Sequence, residues 1–343
     1  MKKRLFPWNS IHVLVTGGAS FIGSTLVDQL ITRGAQIRVV DDLSSGKLEN
    51  IKQHIQTKRI EFINKDLREP GVARKVVQGI NLVFHLAADH GGRGYVELHQ
   101  AGPASNLFLD GLVLWEALKA KVDKIIFASS GCVYPNYLQK DPNKILYLKE
   151  EQVKPPYDAD NMYGWAKLMT ELSLAAYYKE YGLKSVSLRY FTVYGPKCLE
   201  NHAIMAMIAR SFLKQDPFEV WGDGSQVRNW TFIDDIVAGT ISAAEKIDNG
   251  ITINLGTTER ILVKDAVQII TEEFNYKPMI KYLKNMPVGP LNRVADNSLA
   301  QKLLKWQPKM PFRLGVKKTI NWYKEHKKKE DVRRKLPRVL IEK

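Results

Sequence analysis

The apolar stretch His12-Val13-Leu14-Val15 runs into Thr16-Gly17-Gly18-Ala19-Ser20-Phe21-Ile22-Gly23 and then into a helical apolar pattern over Phe21–Thr32. Glycines at such a junction let a buried strand turn tightly into a helix. They also leave backbone N–H groups at the helix N-terminus open to a pyrophosphate. The next short apolar run, Gln36–Val40, is followed by Asp41, eighteen residues after Gly23. A carboxylate there accepts both hydroxyls of a ribose and repels a 2′-phosphate, which favours NAD over NADP. Asp66, in Lys65-Asp66-Leu67-Arg68 after the third apolar run, is placed to meet an adenine edge, or else to cap a helix.

The rhythm continues. Arg59–Ile63, Leu82–His85, Lys124–Ala128 and Ser185–Leu188 read as buried strands, with helix patterns over Asn106–Ala120 and Met162–Tyr181 between them. Nearly continuous apolar strands alternating with amphipathic stretches mark an α/β fold with a parallel sheet covered on both faces, and right-handed crossovers make it doubly wound. After Gly195-Pro196 the pattern changes. A helix over Ala203–Leu213, a strand over Phe218–Trp221, a Gly222-Asp223-Gly224 turn and a strand over Val227–Ile233 follow. Asp235–Lys246 and Gly250–Leu255 read as a return to the sheet, and Val263–Phe274, Asn297–Leu304 and Phe312–Glu325 as a smaller helical part. Without a linker or repeat the parts interleave: a dinucleotide-binding domain over 1–190 and about 234–257, a second domain over about 191–233 and 258–328, and a basic tail over 329–343.

A chain of 343 residues with 45% apolar and 25% charged residues suits a globular protein of one large domain or two. No apolar run approaches the roughly 18 residues needed to span a bilayer. Met1-Lys2-Lys3-Arg4 looks like the start of a signal peptide, but Ile11–Val15 is too short to follow it as an apolar core. The expectation is a cytoplasmic address without membrane insertion. Two cysteines, Cys132 and Cys198, fit a reducing compartment, and Cys198-x-x-x-His202 without further ligands makes no metal site. Part of the net charge of +15 lies in Lys324–Arg338, read as a helix end and a solvated charge run. No nucleic-acid module accompanies it, whereas a nucleotide diphosphate suits a basic protein.

Tyr163 and Lys167 stand four apart in Y-G-W-A-K, after the run Ala128-Ser129-Ser130-Gly131-Cys132-Val133-Tyr134-Pro135. On a helix they share a face, where an ammonium favours the phenolate and makes tyrosine a base near neutral pH. Ser130 adds a hydroxyl, and Cys132 a second acid/base or a merely buried thiol.

The order T-G-G-x-x-F-I-G, acidic strand end, D-L, H-L-A-A, S-S, Y-x-x-x-K, R-Y-F-x-V-Y-G-P and G-D-G-x-Q-x-R, over about residues 11–325, resembles the extended short-chain dehydrogenase/reductase family of nucleotide-sugar epimerases and dehydratases. The resemblance implies a Rossmann-type sheet with a smaller interleaved C-terminal substrate domain. It also implies NAD held by Gly17, Ser20, Phe21, Ile22, Gly23, Asp41, Asp66, Leu67, Ala87 and Lys167. Ser20 departs from the family's middle glycine, and Thr192 from the asparagine usual before V-Y-G-P. By the same resemblance Tyr163 removes a sugar hydroxyl proton while C4 gives up hydride. Lys167 lowers the tyrosine pKa and holds the nicotinamide ribose, and Ser130 hydrogen-bonds the reacting oxygen.

A 4-ketone acidifies C3 and C5. Dehydratases of the family carry Asp-Glu where this chain has Gly131-Cys132, and S-S-x-C-V-Y-P resembles the GDP-mannose 3,5-epimerases and GDP-fucose synthases. The resemblance makes Cys132 an acid/base at those carbons and His202 its partner, at a place where the GDP-fucose synthases carry a histidine. Ala87-Ala88-Asp89-His90-Gly91-Gly92-Arg93-Gly94 resembles the glycine-rich loop of the 3,5-epimerases, so Gly91, Gly92 and Arg93 are expected on the substrate. His90 and Arg93 contact the sugar or phosphate, or face solvent. Arg228 and Arg293 match positions that bind the nucleotide diphosphate, and Trp221 lines the nucleotide pocket or the core. The expected function is an NAD-dependent epimerase of a nucleotide-diphosphate sugar, a GDP-sugar favoured, acting at C3 and/or C5, in a homodimer formed through helices that include Asn106–Ala120. The alternatives are a 4-epimerase, an epimerase–reductase and a nucleotide-sensing scaffold.

Overall fold

The computed structural model describes residues 6–341; the run Met1-Lys2-Lys3-Arg4 lies outside the described residues. In chain order β1–β6 are His12–Thr16, Gln36–Asp41, Ile60–Asn64, Leu82–His85, Lys124–Ser130 and Lys184–Tyr190. The strand Ile251–Leu255 joins them in a seven-stranded sheet, in the order 251–255, β6, β5, β4, β1, β2, β3. Every pairing is parallel. The chain winds outward from β1 through β2 and β3, then crosses to β4 and winds the other way. Ligands bind outside the carboxyl ends of strands at such a reversal, here β1 and β4.

Side chains alternate between the two faces. Val13, Val15, Val39 and Phe84 pack with Leu26, Val27 and Leu30 of the helix α1 (Phe21–Thr32). Leu14, Val40, Val83 and Ile125 pack on the other face with Val113 and Ala117 of helix Asn106–Lys119. Both faces are therefore buried, which is why the strands read as apolar runs. Helix Asn161–Tyr181 ends where Gly182 turns left-handed at φ +70°.

Two sequence expectations need correction. The strand expected over Val227–Ile233 is two strands of two residues: Val227–Arg228 lies between Ile261–Leu262 and Asn292–Arg293, and Thr231–Phe232 pairs with Val193–Tyr194. Between them the Asn229 side chain donates to the Thr257 carbonyl at 2.7 Å and Trp230 stacks on Phe312, so the chain turns from one small sheet to the other. The tail is not a solvated charge run either. Lys329–Val339 is a helix against Ala203–Phe212, with Val332 and Leu336 buried. That i, i+4 apolar pair gives a dominantly charged segment one face to dock. Beyond it Leu340 reaches the wall of the central cavity, its carbonyl 2.3 Å from where a Cβ on Gly94 would stand.

Candidate active site

The turn after β1 is built for close approach. Gly17 has φ +69°, and a Cβ there would come within 2.9 Å of the Ala87 nitrogen; one on Gly23 would come within 2.1 Å of the Gly17 carbonyl oxygen. No side chain fits at either place, so the loop stays open to a pyrophosphate and α1 packs directly beneath it. Ser20 does not crowd the cradle: its hydroxyl turns back and donates to the Gly17 carbonyl at 2.5 Å. The Asp41 carboxylate accepts from the Ala19 and Leu43 N–H groups, both at 2.9 Å, which fixes the loop around it. Asp41, Asp66, Leu67 and Ala87 line one small cavity with Gly17 and Ser20. Asp66 is gripped by Arg68, whose Nη2 lies 2.7 Å from it. The donor set and the missing side chains fit an adenine dinucleotide.

This cavity adjoins a larger one of about 390 Å³, lined by Phe21, Ile22, Ser130, Tyr163, Lys167 and His202 among others. Tyr163 and Lys167 come from helix Asn161–Tyr181 and Ser130 from the end of β5. Lys167 is buried, its Nζ 4.5 Å from the centre of the Phe127 ring and 5.8 Å from that of Tyr163. Burial lowers its pKa, and the Asp110 and Glu171 charges oppose that. Burial works to raise the Asp110 carboxyl as well, yet the Lys167 charge and hydrogen bonds from His85 and Thr170 hold it below the usual carboxylate range. Burial, with Cys132 and Asp110, pushes the phenol above its ordinary value, and the Ser130 hydroxyl only partly offsets this. Lys167 faces Asp110 and Glu171 as much as it faces the phenol.

Cys132 sits in the turn Gly131–Val133 at the end of β5, half-buried. Its carbonyl accepts from the Asp160 N–H at 2.8 Å, and a Cβ on Gly164 would come within 2.4 Å of that oxygen. Arg293 frames the sulfur: Nη1 donates to Sγ at 3.2 Å, Nη2 to Asp160 at 3.0 Å and Nε to Gln139 at 2.7 Å. Arg93 also donates to Asp160, at 2.9 Å. Arg293 and Arg93 therefore serve the protein's own groups on this wall, beyond the substrate contact expected of them. Arg228, half-buried beside them, is lowered to about 9 by burial and by the two neighbouring guanidinium charges. Three guanidiniums around one buried carboxylate leave the wall positive, a setting for phosphate oxygens.

Gly92 lets the glycine-rich loop press on the Asn201 carbonyl, only 1.7 Å from where its Cβ would stand. That contact brings His90 beside His202, with ring centres 6.0 Å apart, and His90 is 6.5 Å from Tyr163. His90 therefore faces the cavity. Burial lowers His202 to about 4, so at neutral pH it is a neutral imidazole whose protonated form is disfavoured. Trp221 is half-buried on the same cavity. Among the described residues no group of His, Cys, Asp or Glu is arranged to hold a metal ion, and no helix is long and apolar enough to cross a membrane.

Spacing pointed to Ser130, Cys132, Tyr163 and Lys167. Asp160, Gln139 and Asp110 carry no local signature, because each reaches the site by long-range packing.

The profile of the NAD dependent epimerase/dehydratase family matches residues 13–256. The chain belongs to that family. Its cofactor is NAD, as in the family's solved members with NAD bound. Within the family the chain is 31% identical over 337 residues to GDP-mannose 3,5-epimerase 1 of Oryza sativa subsp. japonica, covering 96% of this chain and 86% of that one. It is 30% identical to the putative UDP-glucose 4-epimerase of Methanocaldococcus jannaschii, covering 92% and 99%. UDP-glucuronic acid 4-epimerase from Bacillus cereus, solved with UDP-glucuronic acid and NAD, superposes with a TM-score of 0.82 at 28% identity, covering 92% and 99%.

Proposed function

We propose that the chain epimerises a GDP-sugar at C3, C5 or both through a transient 4-ketone, as a cytoplasmic homodimer. The observation that carries this reading is the Arg293 N–H on the Cys132 sulfur, in the same cavity as Tyr163, Lys167 and His202. A 4-epimerase needs no acid/base beside the carbons that flank C4. NAD supplies the hydride acceptor for C4. Tyr163, hydrogen-bonded to Ser130, exchanges a proton with the C4 oxygen. His202, neutral at the outset, takes the proton from the C–H bond next to the ketone, and the electron pair moves to the C4 oxygen as an enolate. The Cys132 thiol delivers a proton to the opposite face, forming the inverted C–H bond and a thiolate that the Arg293 cation stabilises.

Incubated with GDP-mannose in heavy water without added reductant, the protein is expected to place deuterium at C3 or C5. Cys132→Ser is expected to stop inversion at that carbon while the bound NAD is still reduced by substrate. No exchange with any GDP-, UDP-, dTDP- or CDP-hexose refutes the reading. The second reading, a 4-epimerase, is favoured by the Methanocaldococcus relative and the Bacillus structure. It requires inversion at C4 with no solvent hydrogen at C3 or C5.

A further inference from the structure

A buried polar cluster of Thr16, His85, Asp110 and Thr170 takes no part in the proton chemistry above. The Thr16 hydroxyl accepts from the Leu86 and Ala87 N–H groups, both at 3.0 Å, so its single proton goes to His85 Nδ1 at 2.8 Å. That leaves the imidazole proton on Nε2, which donates to one Asp110 carboxylate oxygen at 3.0 Å. The other oxygen accepts from the Thr170 hydroxyl at 2.8 Å, closer than the Ala166 carbonyl at 3.0 Å. His85 is thus a neutral donor, and its bond to Asp110 contains no cation. Asp110 and Lys167 are each 1% exposed.

A buried charge without a counter-charge is costly, so Asp110 needs a cation and Lys167 an anion. Two carboxylates act on Lys167, and one of them is already engaged. Arg189 grips Glu171 through Nε at 3.0 Å and Nη2 at 2.7 Å, and the Ser129 hydroxyl donates to it as well. Among the described residues no arginine pairs with Asp110. Burial opposes the Asp110 charge, and the Lys167 ammonium is the charge that most favours it. One anion and one cation are left for each other. We propose that Asp110 is the counter-ion of Lys167 and a positioning residue of the reaction, keeping the ammonium charged beside Tyr163. The proposal rests on Tyr163 as the base and adds what sustains its lysine. It also ties the lysine to Thr16, at the start of the glycine turn. Asp110→Asn removes the charge and little else, because the amide oxygen still accepts from His85 and Thr170 turns to the Ala166 carbonyl.

Double-variant cycles in urea titrations with saturating NAD test the pairing without turnover. Asp110→Asn and Lys167→Met are each expected to favour unfolding, and the double variant to unfold about tenfold less than the product of the two effects. Glu171→Gln with Lys167→Met is expected to be additive within about twofold, since Arg189 holds that carboxylate. Additive Asp110 and Lys167 effects overturn the proposal, as does coupling of Lys167 to Glu171 alone. Where Asp110→Asn does not fold by itself, recovery of the fold on adding Lys167→Met supports the pairing, and a double variant that also fails to fold overturns it. The pH profile of NAD reduction by GDP-mannose gives a readout that a merely structural role does not move. The groups facing Lys167 and Tyr163 are Asp110, Glu171 and Cys132, with His85 on Asp110 and Arg189 on Glu171. Activity that needs charged Lys167 is present below the lysine's pKa and is lost as pH rises through it. Without the Asp110 charge the ammonium loses its proton more easily, and the phenol loses one of the charges that push it up. Both effects act in one direction, so Asp110→Asn is expected to move the profile to lower pH by about one pH unit. An unmoved profile overturns the proposal. No cofactor reduction by any GDP-, UDP-, dTDP- or CDP-hexose, with the coupling intact, refutes the epimerase reading alone.

Discussion

Arg293 divides its donors among Gln139, Asp160 and the Cys132 sulfur, and the sulfur bond has a chemical consequence. A charged N–H on sulfur stabilises the thiolate left after proton delivery, and Asp160 keeps the guanidinium aimed. Arg293→Met is therefore expected to slow inversion by about 100-fold, the scale of a lost acid–base group. It is also expected to slow iodoacetamide alkylation of Cys132 at pH 7 by about tenfold. The second cysteine gives little background, since burial pushes the Cys198 thiol up. An unchanged alkylation rate contradicts the assignment. His202 makes a different prediction. Its folded pKa of about 4 lies below the ordinary 6.5, so between those values the unfolded chain binds the extra proton. Stability tied to neutral His202 is present above pH 6.5 and is lost as pH falls toward 4. His202→Gln is expected to reduce the stability lost between pH 7.5 and pH 5 by about 1–2 kcal/mol in urea titrations. A variant that loses as much as the wild type over that span rules it out.

Helix Asn161–Tyr181 positions the chemistry by meeting the Cys132 turn at Gly164. An added methyl there has to move either the helix or the Cys132 carbonyl. Gly164→Ala is therefore expected to cost about 1–3 kcal/mol and to slow exchange, read from the unfolding midpoint and the deuterium assay together. Unaltered stability and rate together show that the contact has slack. Elements of this length were legible because their apolar period is local: Phe21–Thr32 and Leu82–His85 have the bounds their patterns predict. Val227–Arg228 and Thr231–Phe232 were not, because strands of two residues are defined by partners from distant segments. The C-terminal helix was hidden for another reason. Two apolar residues among many charges make a docking face only when Ala203–Phe212 is there to receive it. The site divides the same way. Tyr163 and Lys167 share a helix face and are visible as a spacing, whereas Asp160, Gln139 and Arg293 meet around Cys132 only through the folded chain.

Taken as a whole, the molecule leaves one long apolar face uncovered. Helices Asn106–Lys119 and Asn161–Tyr181 pack side by side, and their outer surfaces show Phe108 at 57% exposure, Trp115 at 44%, Trp165 at 36% and Met169 at 45%. Phe108, Gly111 and Trp115 follow the i, i+3, i+7 spacing of a single stripe, as do Trp165, Met169 and Leu172 at i, i+4, i+7. A Cβ on Gly111 would meet nothing within 4 Å, which leaves room for an opposing helix to come close. Large apolar stripes on two adjacent helices suit a two-fold contact in which each pair covers its copy, and this is the segment expected from the sequence. The prediction is a dimer in sedimentation at micromolar concentration. Trp115→Glu combined with Met169→Glu is expected to give a monomer that still binds NAD, because neither side chain lines the cofactor or substrate cavity. The double variant also separates assembly from catalysis, since Tyr163 and Lys167 lie on the same helix as Met169. If that helix depends on the partner for its position, exchange at C3 or C5 falls with dissociation; if the Asp110 and Glu171 anchors suffice, it persists in the monomer. A wild type that sediments as a monomer at that concentration overturns the dimer outright.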